Sequence, residues 1–143
     1  MIAGLPSRRR LLIAISLATV ACREAGGPAE SAVQATYEEP FDLSLDERAS
    51  VGGEFRVTFD RVTEDSRCAS RAECAPPGNA AVVLKIDGEE GTATLTLHTG
   101  REPRRAAAAG HALELVELRP ARSPDSPPDP EDYEVTLLVA PLP

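Results

Sequence analysis

Hydrophobic and polar residues alternate along much of the chain from residue 41 onward. In GTATLTLHT, residues 91–99, the apolar side chains Ala93, Leu95 and Leu97 alternate with threonines and a histidine. A period of two residues is typical of a β-strand with one buried face. One more short strand is predicted to end at Val51. The same alternation recurs in FDLSL (41–45), EFRVTFDRV (54–62), AAVVLKID (80–87), HALELVELRP (111–120) and DYEVTLLV (132–139).

Two local signals refine this pattern. Val62 breaks the alternation of its segment by one position, which predicts a β-bulge or a strand end near Asp60 and Arg61. Asp87-Gly88 is a strong turn dipeptide between two strand-like runs. Residues 80–99 are therefore predicted to form a β-hairpin with a loop of about five residues.

Two segments lack the strand pattern. In REPRRAAAAG (101–110), four alanines favour a helix locally, whereas Pro103 and Gly110 favour a loop with one helical turn. ARSPDSPPDPED (121–132) holds four prolines, which donate no backbone hydrogen bond to a strand ladder. This second segment is predicted to be an extended connection before the last strand.

Together these elements predict a single all-β domain over residues 41–143. Six to seven short strands at this spacing, with no amphipathic helix, favour an antiparallel β-sandwich. The sandwich could be immunoglobulin-like or small barrel-like, because both architectures use short strands with alternating inward-facing residues.

The start of the chain predicts export. Three arginines, residues 8–10, precede an apolar run from Leu11 to Ala21. This run has the length of a signal-peptide core and is too short to cross a hydrocarbon layer of roughly 30 Å. It ends in TVAC, which resembles a bacterial lipobox, so residues 1–21 are predicted to be a signal peptide and Cys22 the acylated first residue of the mature chain. Because Thr19 stands where Leu or Val is commoner, a plain secretory signal is the alternative.

Residues 22–40 are predicted to be a flexible, lipid-anchored tether. REAGGPAESAVQATYEEP (23–40) is small, polar and acidic, and its apolar residues show no period. Such a composition buries too little apolar surface to offset the entropy of ordering. A short helix over Ala29–Ala35 is the alternative.

The net charge of the chain restricts the classes of molecule that it can bind. The formal net charge is −8, and removal of residues 1–21 takes away three arginines and no acid, so it becomes −11. Nucleic acid and anionic lipid headgroups both repel such a chain, which excludes nucleic acid as a partner. Membrane attachment is therefore predicted to occur through lipid on Cys22, for which two acyl chains give stable anchoring. The predicted location is the bacterial cell envelope, facing the periplasm or the exterior, or the secreted fraction if Cys22 is not acylated.

Cys68 and Cys74 lie in the predicted loop between two strands. In an exported protein, two nearby thiols oxidise by default, so they are predicted to form a disulfide. Closing such a short loop stabilises the fold by about 2 kcal/mol in the chain-entropy model. A metal site would need further ligands, yet the two histidines, His98 and His111, are isolated in sequence. A redox pair usually has two intervening residues rather than the five found here.

The disulfide segment also carries a resemblance. VTEDSRCASRAECAPPGNAAVVL (62–84) resembles the signature of a family of small bacterial envelope lipoproteins: Glu-Asp-Ser-Arg-Cys, a spacer, Cys, and Gly-Asn before a hydrophobic strand. Residues 113–139 are similar to the tail of the same family. Ala69 replaces a common proline, and Pro76-Pro77 replaces an aromatic that often precedes the glycine. The resemblance implies an exported β-rich domain with a disulfide, and it implies no particular activity.

Four charged residues make this segment a candidate binding loop: Glu64, Asp65, Arg67 and Glu73. Recognition residues favour loops on a rigid scaffold. The alternative is a loop that folds through its own hydrogen bonds, with Asp65 in an Asx-turn and Arg67 paired with a carboxylate.

No catalytic residue, cofactor or metal site is predicted, because the two isolated histidines offer neither a Ser-His-Asp set nor a metal-ligand cluster. The sequence therefore predicts a lipid-anchored envelope module with an interaction or structural role, for which an unidentified envelope protein is the candidate partner. The alternative is a periplasmic protein that binds a small molecule or a metal.

Overall fold

The computed structural model describes residues 32–69, 73–124 and 126–143. These residues form nine β-strands in two sheets, which face each other as a β-sandwich and do not close into one barrel. The predicted all-β fold is thus confirmed. The strands are β1 (Val33–Ala35), β2 (Phe41–Ser44), β3 (Arg48–Val51), β4 (Phe55–Asp65), β5 (Ala80–Gly88), β6 (Gly91–His98), β7 (Arg105–Ala108), β8 (His111–Arg119) and β9 (Glu134–Pro141), and one turn of 3-10 helix covers Pro130–Asp132.

Sheet 1 has the order β1-β3-β4-β5-β6, and sheet 2 has the order β2-β9-β8-β7. All strand pairs are antiparallel except β1 and β3, which are parallel. The chain crosses between the sheets after β1, after β2 and after β6. Within the described ranges, no helix is long and apolar enough to cross a membrane.

The core lies between the sheets and is built from the alternating apolar positions. Inward-facing side chains of both sheets are fully buried because each strand turns every second residue toward the other layer. The largest of these are Phe59, Leu43, Leu84, Ile86, Leu97, Leu113, Leu115, Leu137, Val51, Val57, Val82 and Val135.

The two ends of the sandwich differ in their connections. The tight β3–β4, β5–β6 and β7–β8 turns lie at one end, which we name the turn end. The longer β4–β5, β6–β7 and β8–β9 connections lie at the opposite end, which we name the loop end. The disulfide segment belongs to the loop end.

Several element predictions are confirmed or corrected. The register of β4 against β5 shifts between Phe59 and Arg61, so the predicted bulge is confirmed. The β5–β6 hairpin has a two-residue turn, shorter than predicted, because the pairing of the two strands continues to Gly88 and Gly91. The segment 101–110 contains strand β7 instead of a helical turn, because its alanines pair with β8.

The folded domain begins earlier than the predicted boundary at residue 41. Strand β1 pairs with β3, and its last residue, Ala35, is buried in the core. This contact with another strand orders a segment that has no apolar pattern of its own. The predicted signal peptide, Cys22 and the first part of the tether lie outside the described residues.

Candidate functional site

Cys68 and Cys74 form a disulfide in the β4–β5 loop, with their Cα atoms 5.9 Å apart. The bridge predicted from the sequence is therefore present. It closes the outer part of the loop, and Cys74 is exposed. The residues just before Cys68 and after Cys74, among them Ser66, Arg67 and Asn79, contact the two sheets.

Asp65 and Arg67 form a largely buried ion pair beside the disulfide. The Asp65 carboxylate accepts hydrogen bonds from the backbone N–H of Arg67 at 3.2 Å, from its Nε at 2.8 Å and from its Nη2 at 2.7 Å. The two side chains are only 6% and 14% exposed. A bidentate guanidinium–carboxylate pair is among the strongest hydrogen-bonded arrangements and fixes the orientation of both groups. The acid and base predicted for a binding loop therefore satisfy each other.

The same pair connects the two sheets. Asp65 ends β4 in sheet 1, whereas Arg67 donates from Nη1 to the carbonyl of Leu118 in β8 at 2.6 Å, and from Nη2 to that of Pro120 at 2.9 Å. Tyr133, just before β9, donates its hydroxyl to Asp65 at 2.8 Å. We name Asp65, Arg67 and Tyr133 the clamp, because together they join the loop end of both layers.

The electrostatics of the clamp follow from these contacts. Burial alone would raise the pKa of Asp65, but hydrogen bonds from Arg67 and Tyr133 outweigh it and lower the pKa of that carboxyl. The hydrogen bond to Asp65 raises the pKa of Arg67. Burial, and then the hydrogen bond to Asp65, raise the pKa of Tyr133 to about 12. At neutral pH the clamp is thus a fixed carboxylate, guanidinium and neutral phenol.

A second network holds the other end of the same loop. The Ser66 hydroxyl accepts from the backbone N–H of Asn79 at 3.1 Å, and the Asn79 side chain contacts Nδ1 of His98 at 3.1 Å. The Asn79 side-chain oxygen also accepts from the N–H of Gly100 at 3.1 Å. Ser66, Arg67 and Asn79 therefore lie in intramolecular contacts, and this segment is used to build the loop end.

Gly78 permits this arrangement through its lack of a side chain. A Cβ added there would lie 1.6 Å from the carbonyl oxygen of Ser66, far inside the contact distance of two atoms. A Cβ on Gly100 would in turn lie 2.3 Å from the carbonyl oxygen of Gly78. Three backbone segments are therefore stacked here at a distance that only glycine allows.

The remaining two residues of the predicted binding loop point to solvent. Glu64 is exposed and lies 3.5 Å from Nη2 of Arg101, and Glu73 is exposed beside the disulfide. The structure thus brings Glu64, Asp65 and Arg67 together but divides their roles. Asp65 and Arg67 are turned inward, so of the four predicted residues only Glu64 and Glu73 face solvent.

A cleft lies at the turn end, which the sequence did not single out. Its volume is about 810 Å³, and Phe55 and Ile86 line it at the base. These two residues are core side chains, 4% and 1% exposed. The charged residues of the lining are all acidic: Glu54, Glu89 and Glu90. An apolar base with acidic residues around it is a surface suited to a ligand with apolar and cationic groups.

Tyr37, Glu54 and His111 form a small polar cluster near this cleft. The Tyr37 hydroxyl donates to Glu54 at 2.6 Å, and the Tyr37 ring stacks on His111 with centroids 4.7 Å apart. Burial, followed by the hydrogen bond to Glu54, raises the pKa of Tyr37 to about 12. The sequence pattern does not indicate this cluster, because Tyr37 falls in the segment predicted to be a tether. The glycines of the turns at residues 52–53 and 88–91 are the signal that points to this end of the sandwich.

Comparison with known proteins finds no family model, no curated protein and no solved structure that matches this chain. In the part of the chain that the structure describes, no group of three or more His, Cys, Asp or Glu side chains is placed to hold a metal ion.

Proposed function

We propose that this chain is an exported, lipid-anchored protein of the bacterial cell envelope that acts through non-enzymatic interaction or structural contacts. The N-terminal arginines, the short apolar run and TVAC support export and acylation of Cys22. The acidic net charge supports covalent lipid as the membrane attachment, since headgroup electrostatics would oppose binding.

The observation that carries this proposal is the N-terminal sequence, and the position and direction of β1 indicate how an anchored domain would be oriented. The described chain starts at Ala32, and β1 then runs parallel to β3 toward the turn end. Residues 23–31 can span at most roughly 30 Å. A lipid on Cys22 would therefore hold the domain close to the membrane, and the direction of β1 would present the turn end with its cleft away from it.

The clamp supports a non-enzymatic role for the loop end. Asp65, Arg67 and Tyr133 carry shifted pKa values, as catalytic residues often do. Here, however, each is bonded to another clamp residue, and Arg67 also to backbone carbonyls of sheet 2. Ion-pair networks that hold a fold together perturb pKa values in the same way.

Substitution of Cys22 tests the anchor. We expect Cys22→Ser to move most of the protein from the membrane fraction to the soluble fraction, because the variant lacks the thiol that receives the lipid. Thr19→Leu, which brings the lipobox-like segment closer to the usual pattern, is the matched control and should leave the protein in the membrane fraction. Identical fractionation of Cys22→Ser and the unmodified chain would contradict the proposal.

A further inference from the structure

Strand β6 is an exposed sheet edge with an unusual composition. It is the last strand of sheet 1 and contains eight residues, whereas the other edge strands, β1, β2 and β7, contain three or four. From Gly91 to Leu97 it has no charged residue and no proline. Its pairing with β5 is regular throughout, without a bulge. Proteins usually protect an edge strand with charged residues, prolines or bulges. An edge strand that lacks all three is suited to pairing with another strand.

The backbone of β6 offers free hydrogen-bonding groups along this edge. The N–H of Thr99 donates to Ala80 on the β5 side, whereas the N–H of His98 donates to Pro103 on the opposite side. Because successive residues of a strand alternate between the two sides, Thr92, Thr94 and Thr96 direct their N–H and C=O groups away from β5. In the part of the chain that the structure describes, no neighbouring strand of sheet 1 lies on that side.

The open part of the edge borders the cleft at the turn end. Thr92 and Ala93 line the cleft together with the core residues Phe55 and Ile86. Ala93 occupies a core-facing position of β6 and is nevertheless exposed, so the sandwich is open beside it. A strand added to β6 would therefore place alternate side chains over an apolar base.

We propose that β6 receives an extended segment of a partner protein as an additional antiparallel strand, with an apolar side chain in the cleft and basic residues near Glu89 and Glu90. This inference rests on the proposed function, since it names the surface and the chemistry of the partner of that envelope module. Main-chain hydrogen bonds would supply affinity, and the cleft with its acidic turn would supply specificity.

The edge favours a peptide over a second copy of this chain. In a two-fold antiparallel pairing of two β6 strands centred on Thr94, Glu90 of one copy would lie opposite His98 of the other. The edge at His98 is already covered by Pro103, whose carbonyl accepts the His98 N–H. A short peptide has no hairpin turn opposite His98, and its chain can extend freely past β6 at the turn end. The acidic lining of the cleft further selects a basic segment.

The proposal is tested with the purified full-length protein and a defined peptide probe. The probe is a blocked peptide of about eight residues that alternates valine with threonine and ends in two lysines. Lysines belong at its C-terminal end because an antiparallel strand leaves β6 at the turn end. The matched peptide ends in two glutamates. We expect the lysine peptide to bind and to shift the NMR amide signals of residues 91–97, and the glutamate peptide to bind at least about tenfold more weakly.

Thr94→Pro is the diagnostic variant. It removes an outward N–H and spares the β5–β6 ladder, so the domain should fold while binding weakens about tenfold or more. Ala107→Pro is the matched control, because pairing of Arg104 with Leu115 places the Ala107 N–H on the outer side of β7. The Ala107→Pro variant should bind the lysine peptide as tightly as the unmodified protein does. If Thr94→Pro does not fold, the double variant Glu89→Gln/Glu90→Gln replaces it as the test. This double variant must weaken binding of the lysine peptide and must not weaken binding of the glutamate peptide.

Equal binding by Thr94→Pro, or no binding of the lysine peptide to the unmodified protein, would overturn the proposal. A concentration-dependent dimer that Thr94→Pro abolishes would replace the peptide with a second copy, which also overturns it. If binding at β6 fails while Cys22→Ser still releases the protein from membranes, the anchored module stands and only the edge assignment is lost.

Discussion

Arg67→Met is expected to lower the free energy of unfolding by about 3 kcal/mol, because removing one partner leaves the other charge buried without compensation. Asp65 would keep only the Tyr133 hydroxyl as a side-chain donor, and the carbonyls of Leu118 and Pro120 would lose theirs. For a small domain this is a large part of the total stability. Urea denaturation at neutral pH measures the effect.

The matched control is Arg61→Met. Arg61 also pairs with an aspartate, Asp60, but its side chain is 58% exposed and Asp60 retains an ion pair with Lys85. Exposed ion pairs contribute at most about 1 kcal/mol, so this variant should be nearly as stable as the unmodified protein. Equal losses in the two variants would contradict the clamp.

The pH dependence of the Arg67→Met effect has a definite sign. The folded-state pKa of Asp65 is lowered from its ordinary value of 3.8, so its contribution to stability is full above that value and is lost as the pH falls through the folded pKa. In Arg67→Met the buried carboxylate loses its guanidinium, and acid should relieve the cost. The difference between the two proteins should therefore be largest near pH 7 and shrink as the pH falls toward and below 3.8.

Gly78→Ala is expected to destabilise the protein by on the order of 3 kcal/mol or to prevent folding, because the added methyl group collides with backbone. Its Cβ would lie 1.6 Å from the carbonyl oxygen of Ser66 and 2.9 Å from Cα of Arg67. Neither atom can move without displacing the clamp. Thermal unfolding of the purified variant, or its yield in the folded fraction, measures the loss.

Gly53→Ala separates this collision from ordinary glycine effects. Gly53 lies in the β3–β4 turn with φ +74°, and a Cβ there meets nothing within 4 Å. Only the left-handed backbone conformation is then penalised, at about 1 kcal/mol. Comparable losses at both glycines would mean that the stacked loops relax around the methyl group.

The strands of the core could be predicted because their pattern is local. In β9, for instance, Val135, Leu137 and Val139 are buried and alternate with less buried residues, as the period of two indicates. Strand β7 was predicted wrongly because four alanines favour a helix, whereas pairing with β8 decides the conformation. Strand β1 has only three residues, and its pairing with β3 leaves no signature in its own sequence.

The candidate site likewise combines local features that the sequence indicates with long-range contacts that it does not. The disulfide and the Asx-turn of Asp65 involve residues close in sequence, and local chemistry indicated both. The sequence indicated a carboxylate partner for Arg67 but did not specify which one. The carbonyls of Leu118 and Pro120 that bind Arg67 are more than 50 residues away, and no pattern reports such contacts. The cleft likewise forms from three turns that only the folded sheets bring together.

In the proposed arrangement, the loop end holds the sandwich together and the β6 edge at the turn end binds the partner. Site-specific photo-crosslinking in intact cells tests both halves, with a photoreactive residue placed at exposed position 94 in one variant and at exposed position 73 in another. We expect an adduct from position 94, mapped by mass spectrometry to a lysine- or arginine-bearing segment of another protein, and none from position 73. Adducts from position 73 without any from position 94 would contradict the account.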